Sequence, residues 1–223
     1  MKYKVDICCL QETKIKNGVD KDVKGNRLIC LQSESKHYGN GFMISNTWKH
    51  NIHKCWKVTD RVAVLQLKVS NKKKKPFLIN IVNVYVPHTQ RVKDDYTELI
   101  ELYDVLNELL SNFKNLAGSF TIIAGDFNAK VGKQVPGEKS IGKYSRGYRN
   151  TSGQTLLDFC DSHDLVIANS CFQHPARHQT TWQQTRKNKN TNKLVTIYNQ
   201  IDYVIIPRNK KHSLTRDHTL EPM

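Results

Sequence analysis

The sequence contains no Cys-x-x-Cys pair and no regularly spaced cysteines. Its six cysteines are scattered along the chain, at Cys8, Cys9, Cys30, Cys55, Cys160 and Cys171. This spacing indicates neither a cysteine zinc site nor the disulfide framework of a small secreted protein. Several of them lie in apolar segments, where we expect the thiols to stay reduced.

Long hydrophobic runs are also missing. The N-terminal segment holds an apolar stretch too short and too interrupted by charge for a signal peptide, and no later run approaches a membrane span. These absences predict a soluble intracellular protein, nuclear or cytoplasmic and not secreted. No internal repeat or linker-like composition is found, so residues 1–223 are predicted to form a single domain.

Acidic residues are too few to balance the basic ones. The chain has 35 lysines and arginines against 20 aspartates and glutamates, a formal net charge of +15. Such an excess favours polyanionic partners through phosphate neutralisation and counterion release. Nucleic acid is the natural candidate, although an anionic membrane surface would also be attracted. The charge therefore supports a nucleic-acid partner without choosing the chemistry.

The hydrophobic pattern predicts strands and helices in mixed order. Apolar runs and alternations predict strands over residues 5–10, 41–45, 61–69, 77–86, 122–124, 165–168, 180–182 and 195–206. Apolar residues at three- and four-residue steps predict a helix from Asp94 to Phe113, and a short one follows around residues 156–160. A Gly-, Lys- and Arg-rich loop occupies residues 130–153. This order predicts packed sheets with helices outside.

Residues 122–128, Ile-Ile-Ala-Gly-Asp-Phe-Asn, carry the clearest chemical signal. An apolar strand ends here in Asp126 and Asn128, two positions apart, and Gly125 lets the backbone turn or a ligand approach. Aspartate and asparagine supply the hard oxygen ligands and hydrogen bonds that a magnesium-bound phosphate needs. The alternative is an ordinary turn, because both residue types also favour turns.

Polar residues interrupt three other apolar strands. They are Gln11-Glu12-Thr13, Asn83 with Tyr85, and Asp202. Carboxylates at strand ends can hold a divalent cation, and a tyrosine hydroxyl can contact a phosphate oxygen. An aspartate between Ile201 and Tyr203 is costly to bury without a partner. Each site taken singly also has an ordinary structural explanation.

Taken together and in order, four motifs resemble the endonuclease/exonuclease/phosphatase superfamily. They are Leu10-Gln11-Glu12-Thr13, Asn83-Val84-Tyr85-Val86-Pro87, Gly125-Asp126-Phe127-Asn128 and Gln200-Ile201-Asp202-Tyr203. Within the superfamily the chain is similar to the endonuclease domains of LINE-type (non-LTR) retrotransposons and to craniofacial development protein 2-like proteins. This finer likeness includes residues 125–132, 165–170, 181–182 and 200–205.

The resemblance implies an α/β four-layer sandwich of two packed mixed β-sheets flanked by helices. It implies that Glu12 is a Mg²⁺ ligand, with Mn²⁺ as a substitute, and that Tyr85 contacts the phosphate. Asp126 would orient or deprotonate the attacking water, Asn128 would stabilise the phosphate, and Asp202 would orient a catalytic histidine. The reaction implied is in-line attack of water on a phosphodiester.

The resemblance also implies a DNA-contacting hairpin between Trp182 and Ile197. Its basic residues are Arg186, Lys187, Lys189 and Lys193. The alternative is a merely solvated basic loop, because phosphate contact and solvation require the same residue types.

The chain departs from the family pattern at both ends. The first strand with its asparagine is absent, and in place of a terminal Ser-Asp-His motif only Asp217-His218 is found, preceded by Arg216. We therefore expect His218 to be a chance match and the fold to lack its first and last core strands. An Asp202 without its histidine would destabilise the fold or shift toward the protonated form. The expectation is a truncated domain, a piece of a longer retroelement polyprotein.

Three functional hypotheses follow from these observations. The first is a magnesium-dependent DNA-nicking endonuclease, and the second is a catalytically impaired remnant that still binds nucleic acid or a protein. Metal-dependent nicking distinguishes these two. The third is a phosphatase that acts on phosphoinositides or a related small phosphate ester, which the retrotransposon-like segments disfavour. Assays of DNA beside a phosphoinositide distinguish the third from the first.

Overall fold

The computed structural model describes residues 5–71, 74–88, 96–114, 116, 119–187 and 192–214, and at residues 71, 74 and 75 it describes the backbone alone. The chain divides into two compact units, Met1–Asp126 and Phe127–Met223. We call them unit 1 and unit 2. That the two form a single domain stays a prediction.

Unit 1 contains a four-stranded antiparallel sheet. Its strands are β1 (Ile7–Leu10), β2 (Val19–Val23), β3 (Asn26–Cys30) and β4 (Gly41–Ile44), in the order β1-β4-β3-β2. The sequence pattern predicted β1 and β4. It missed β2 and β3, because the polar residues of β2 hide the strand signal.

A second set of four neighbouring strands completes the β-structure of unit 1. These are β5 (Ile52–Lys57), β6 (Val62–Asn71), β7 (Lys74–Tyr85) and β8 (Ser119–Asp126). β5, β6 and β7 pair antiparallel, whereas β8 runs parallel to β7. A parallel neighbour needs a crossover connection, and helix α1 (Thr97–Lys114) lies in that connection. The predicted start of the helix, at Asp94, lies outside the described residues.

The core of unit 1 lies between its two sheets. β3 and β4 contribute Ile29, Phe42 and Ile44, and the facing strands contribute Ala63, Leu65, Leu67 and Ile81. Helix α1 buries an apolar stripe that comprises Leu99, Leu102, Tyr103, Leu106, Leu110 and Phe113. Unit 1 thus shows the packed sheets and outer helix that the sequence predicted.

Unit 2 contains helix α2 (Thr151–Ser162) and four further strands. These are β9 (Leu165–Ile167), β10 (Trp182–Lys187), β11 (Leu194–Asn199) and β12 (Asp202–Pro207). β12 pairs antiparallel with β9, and β10 and β11 form a hairpin. The single strand predicted over residues 195–206 is wrong, because Gln200 and Ile201 interrupt it and separate β11 from β12.

The mixed α/β class with packed sheets and few helices is confirmed. All six cysteines are free thiols, and burial raises the pKa of several of them, among them Cys9 and Cys160. No helix in the described part of the chain is long and apolar enough to cross a membrane.

Candidate active site

Glu12 lies in a tightly held loop directly after β1. Glu12 and Lys14 both have positive φ angles, of 52° and 56°. Non-glycine residues adopt this region at a cost that the surrounding structure must offset. Two backbone hydrogen bonds hold the loop, from Thr13 N to Gly39 O at 3.1 Å and from Lys14 N to Tyr38 O at 3.0 Å. The carboxylate of Glu12 is therefore carried by a fixed backbone.

Tyr85, the last residue of β7, meets the Glu12 carboxylate. Its hydroxyl donates a hydrogen bond to Glu12 Oε1 at 2.5 Å. The second oxygen, Oε2, lies 3.1 Å from Lys14 Nζ, and the Glu12 side chain keeps 46% of its surface exposed. The carboxylate is thus oriented from two sides and still accessible from solvent.

Asp126 ends β8 beside Tyr85. The parallel register pairs the Cα atoms of Tyr85 and Asp126, and Val86 N donates to Asp126 O at 2.8 Å. The glycine before it is required by close packing: a Cβ on Gly125 would lie 1.9 Å from the carbonyl oxygen of Val84, at a φ of +150°. Glycine at this position therefore lets β8 approach β7 closely, and so brings Asp126 to Tyr85.

The electrostatics of Tyr85 make it a hydrogen-bond donor and not a base. Burial raises its pKa most, followed by the hydrogen bond to Glu12 and the negative charges of Glu12 and Asp126, whereas Arg61 lowers it. The phenol therefore stays protonated at neutral pH. Both carboxylates act on this one hydroxyl, which places Glu12, Tyr85 and Asp126 in one electrostatic group.

Arg61 and Tyr38 support this group, and sequence reasoning missed both. The guanidinium carbon of Arg61 lies 3.9 Å from the ring centroid of Tyr38 and 5.3 Å from that of Tyr85. Arg61 also pairs with Glu98 in the first turn of α1, at 3.0 Å, and accepts the backbone N–H of Tyr85 on its carbonyl oxygen. Arg61 thus fixes the ring of Tyr85. The signal in the sequence that could have indicated Arg61 is its position directly before the apolar alternation of β6.

Asn83 connects the two sheets of unit 1 beneath Glu12. The side chain is fully buried, and its amide nitrogen donates to the carbonyl oxygens of Leu10 and Gly41, at 2.9 Å each. Its Oδ1 accepts from Gln11 Nε2 at 2.5 Å. One buried amide therefore ties the ends of β1 and β4 to β7 and fixes the residue before Glu12.

The donor groups of unit 1 fit an open magnesium site. Mg²⁺ is commonly held by one or two carboxylates, and takes its other ligands from waters and substrate phosphates. Glu12 accepts from Tyr85, Asp126 is the register partner of Tyr85, and Glu12 is exposed enough to reach a cation. The described residues contain no group of three or more histidines, cysteines, aspartates or glutamates that would form a metal cage. The residues fit a cation completed by water and substrate.

Asn128 lies in unit 2, with a positive φ of 47°. Its neighbours fix it: Phe127 is fully buried, and Phe127 N donates to Ile201 O at 2.9 Å. The hydroxyl of Tyr203 lies 3.0 Å from the carbonyl oxygen of Ala129. The Gly-Asp-Phe-Asn and Gln-Ile-Asp-Tyr motifs, 70 or more residues apart, therefore meet through the backbone around Asn128.

Asp202 begins β12 and lies against Thr181. The Thr181 hydroxyl oxygen accepts the backbone N–H groups of Ile201 and Asp202, at 3.0 and 3.2 Å. Burial raises the pKa of the Asp202 carboxyl, and the hydrogen bond from Thr181 opposes that shift. Thr181 was noted in the sequence only as part of a Thr-Trp pair, and its contact with Asp202 needed the fold.

The basic residues of the β10–β11 hairpin are exposed. Arg186 and Lys187 lie on β10, every residue of which is exposed, and Lys193 directly precedes β11. Trp182 and Tyr198 on the same hairpin are 37% and 61% exposed. Lys189 and His218 lie outside the described residues.

Comparisons with known proteins agree with this fold. No family model matches the chain. Craniofacial development protein 2 of Tragulus javanicus is 32% identical over 177 residues, which are 79% of this chain and 27% of that protein. The chain thus spans little more than a quarter of the relative's length.

Two solved structures share the architecture. The catalytic domain of Xenopus laevis APE2 gives a TM-score of 0.66 at 18% identity, over 94% of this chain and 76% of that one. An AP endonuclease from Archaeoglobus fulgidus gives a TM-score of 0.56 at 16% identity, over 94% and 79%. At these identities the structures support the fold alone. The sequence similarity to craniofacial development protein 2 is a separate observation. The similarity to craniofacial development protein 2 and the fold shared with these structures fit the endonuclease/exonuclease/phosphatase superfamily.

Proposed function

We propose that the chain is a magnesium-dependent DNA-nicking endonuclease of the LINE retrotransposon type. The observation that carries the proposal is the group formed by Glu12, Tyr85 and Asp126. Tyr85 donates to Glu12 at 2.5 Å, and Asp126 is the register partner of Tyr85. A carboxylate that accepts from a protonated phenol, with a second carboxylate on the neighbouring strand, is suited to bind a cation and a phosphate together.

Each residue of the group has a role in phosphodiester hydrolysis. Glu12 would hold the metal, and its carboxylate would then be shared between the metal and Lys14. Mg²⁺, or Mn²⁺ in its place, would supply positive charge against the charge that develops on the phosphate. Asp126 orients the attacking water and accepts its proton as the new P–O bond forms. The bond to the leaving oxygen breaks, and that oxygen takes a proton from solvent.

The remaining residues stabilise charge and position groups. Tyr85 stays protonated and donates a hydrogen bond to a phosphate oxygen when substrate is present. Asn128 donates its amide to the phosphate. Asp202 would orient a catalytic histidine, and His218, which the sequence pattern makes a chance match, is tested for that role below. Because burial raises the pKa of Asp202, a cationic histidine beside it would restore the charged carboxylate.

DNA is the substrate that the charge distribution favours. The net charge of +15 and the exposed basic hairpin favour a polyanion, and the similar structures are an AP endonuclease and the APE2 catalytic domain. The retrotransposon assignment rests on the motif resemblance and on the similarity to craniofacial development protein 2. In this proposal Arg186, Lys187, Lys189 and Lys193 contact the DNA backbone, and the chain acts within a longer retroelement product.

The test is conversion of supercoiled plasmid to nicked circles with and without Mg²⁺. We expect metal-dependent nicking that falls about 10²- to 10⁴-fold in Asp126→Ala, the usual range for loss of a general base. Glu12→Gln should raise the Mg²⁺ concentration needed. Asp104→Ala is the matched control, because this aspartate is exposed on α1. His218→Ala tests the histidine.

Two results would contradict the proposal. A folded chain that binds plasmid without nicking it is the catalytically impaired remnant. Release of phosphate from a phosphoinositide, with no action on DNA in the same buffer, indicates the phosphatase.

A further inference from the structure

The loop of residues 130–149 in unit 2, here called the basic loop, carries charge that the proposed active site does not use. Among its 20 residues are six basic ones and a single acidic one. The basic residues are Lys130, Lys133, Lys139, Lys143, Arg146 and Arg149. The acidic residue, Glu138, pairs with Arg149. In the described structure the other five have no carboxylate within ion-pair distance, so the loop is a strongly positive surface.

The basic loop is held rigid by Arg149. Its Nε donates to Val131 O at 2.8 Å, its Nη2 contacts Glu138 Oε2 at 2.9 Å, and its Nη1 donates to Gln154 Oε1 at 3.0 Å. Val131 and Arg149 also form a β-bridge that closes the loop. A loop fixed at its base by this many contacts loses little conformational entropy when it binds a partner.

Tyr148 protrudes from this fixed loop beside a lysine. Its side chain is 66% exposed, more than that of any other aromatic residue in the described part of the chain. Lys130 Nζ donates to the Tyr148 hydroxyl at 2.8 Å and lies 4.7 Å from the ring centroid. Lys143 lies similarly over Tyr144, at 5.1 Å. An exposed ring beside an ammonium group, as at Tyr148, is suited to contact a base and its phosphate at once.

We propose that the basic loop is a binding surface for single-stranded nucleic acid. Tyr148 stacks on an unpaired base, and Lys130, Lys133 and Arg146 contact the adjoining phosphates. A single strand is favoured over duplex because an exposed ring stacks only on a base whose face is free. This deepens the proposed function, on which the choice of a nucleic-acid partner rests. The basic loop would then contact DNA whose bases are unpaired near the site of cleavage.

The test is the affinity of the chain for a labelled single-stranded oligonucleotide, measured by fluorescence anisotropy in EDTA so that no hydrolysis occurs. Tyr148→Ala should weaken binding about 5- to 150-fold, the change that corresponds to about 1–3 kcal/mol for one stacked base. Tyr148→Phe keeps the ring and should stay within about threefold of the parent, a smaller change than the loss of one base stack. The matched control is Tyr96→Ala, at a tyrosine that is 40% exposed in unit 1.

Salt dependence separates stacking from phosphate contact. Lys130→Gln should reduce the slope of log affinity against log salt by about 0.7, the value for one phosphate on a single strand. Tyr148→Ala should leave that slope unchanged. Lys114→Gln, at an exposed lysine on α1, should change neither affinity nor slope.

Three results would overturn the proposal. The first is that Tyr148→Ala binds as well as Tyr96→Ala. The second is that Tyr148→Phe weakens binding as much as Tyr148→Ala. The third is that the basic loop binds anionic vesicles better than it binds the oligonucleotide. Because binding is measured without metal, it is independent of the plasmid assay. A chain that nicks normally while its Tyr148 variants bind normally refutes the surface and retains the endonuclease.

Discussion

Replacing Asn83 with alanine tests whether one buried amide holds the Glu12 side of the site in place. Asn83 is fully buried, donates to two backbone carbonyls and accepts from Gln11. Alanine leaves the carbonyl oxygens of Leu10 and Gly41 without their donor. Because a buried polar group left unsatisfied costs about 1–3 kcal/mol, two of them give a loss of about 2–6 kcal/mol. That is a large part of the stability of an ordinary domain.

The assay is urea unfolding followed by circular dichroism. For a urea slope of about 2 kcal/mol per molar, a loss of 3 kcal/mol lowers the midpoint by about 1.5 M. A loss below about 1 kcal/mol would refute the reasoning, because the carbonyls would then have found water or other donors.

Asn80→Ala is the matched control on the same strand. Asn80 is also fully buried, and it connects Gln66 to Thr121 through side chains alone. We expect Asn80→Ala to destabilise the fold without affecting Glu12. Only Asn83→Ala should weaken Mg²⁺ binding measured by calorimetry at a temperature where both variants are folded. Equal effects of the two variants on Mg²⁺ binding would contradict a specific role of Asn83.

Three further predictions follow from the site. Tyr85→Phe should reduce nicking about 10- to 100-fold, because it removes the hydroxyl that orients Glu12 and that donates to the substrate phosphate, while Tyr38→Phe, which keeps its ring, should not. Asp202→Asn should raise the melting temperature at neutral pH. A carboxyl whose pKa is raised in the folded state stabilises the fold at a pH below its ordinary pKa of 3.8. That stability is lost as the pH rises through the folded-state pKa. The gain should therefore vanish in acid, and a gain that is the same at every pH would contradict the assignment. Gly125→Ala should cost about 3 kcal/mol or more in urea unfolding, because its Cβ would overlap Val84 O. Gly137→Ala, with a positive φ but open space, should cost less.

Local sequence patterns were sufficient to predict those features that depend on a single strand or helix. The apolar run before Asp126 predicted β8, and Asn83 and Tyr85 were recognised as polar interruptions of β7. The periodic apolar residues of α1 predicted the helix and most of its buried stripe, although Ile100, which fits the period, is 59% exposed. The strands β2, β3 and β5 were missed, and for β2 and β5 the reason is that strands with exposed polar residues carry little periodicity.

The sequence by itself determined the fold class and the identity of the polar residues at strand ends, since both depend on local hydrophobic period and on motif order. Tertiary structure alone decided which of those residues meet. Tyr85 contacts Glu12 from 73 positions away, and Arg61 reaches both Tyr38 and Tyr85. The reason is physical: pairing β7 with β8 and packing the two sheets set these distances, and no pattern along one strand records them.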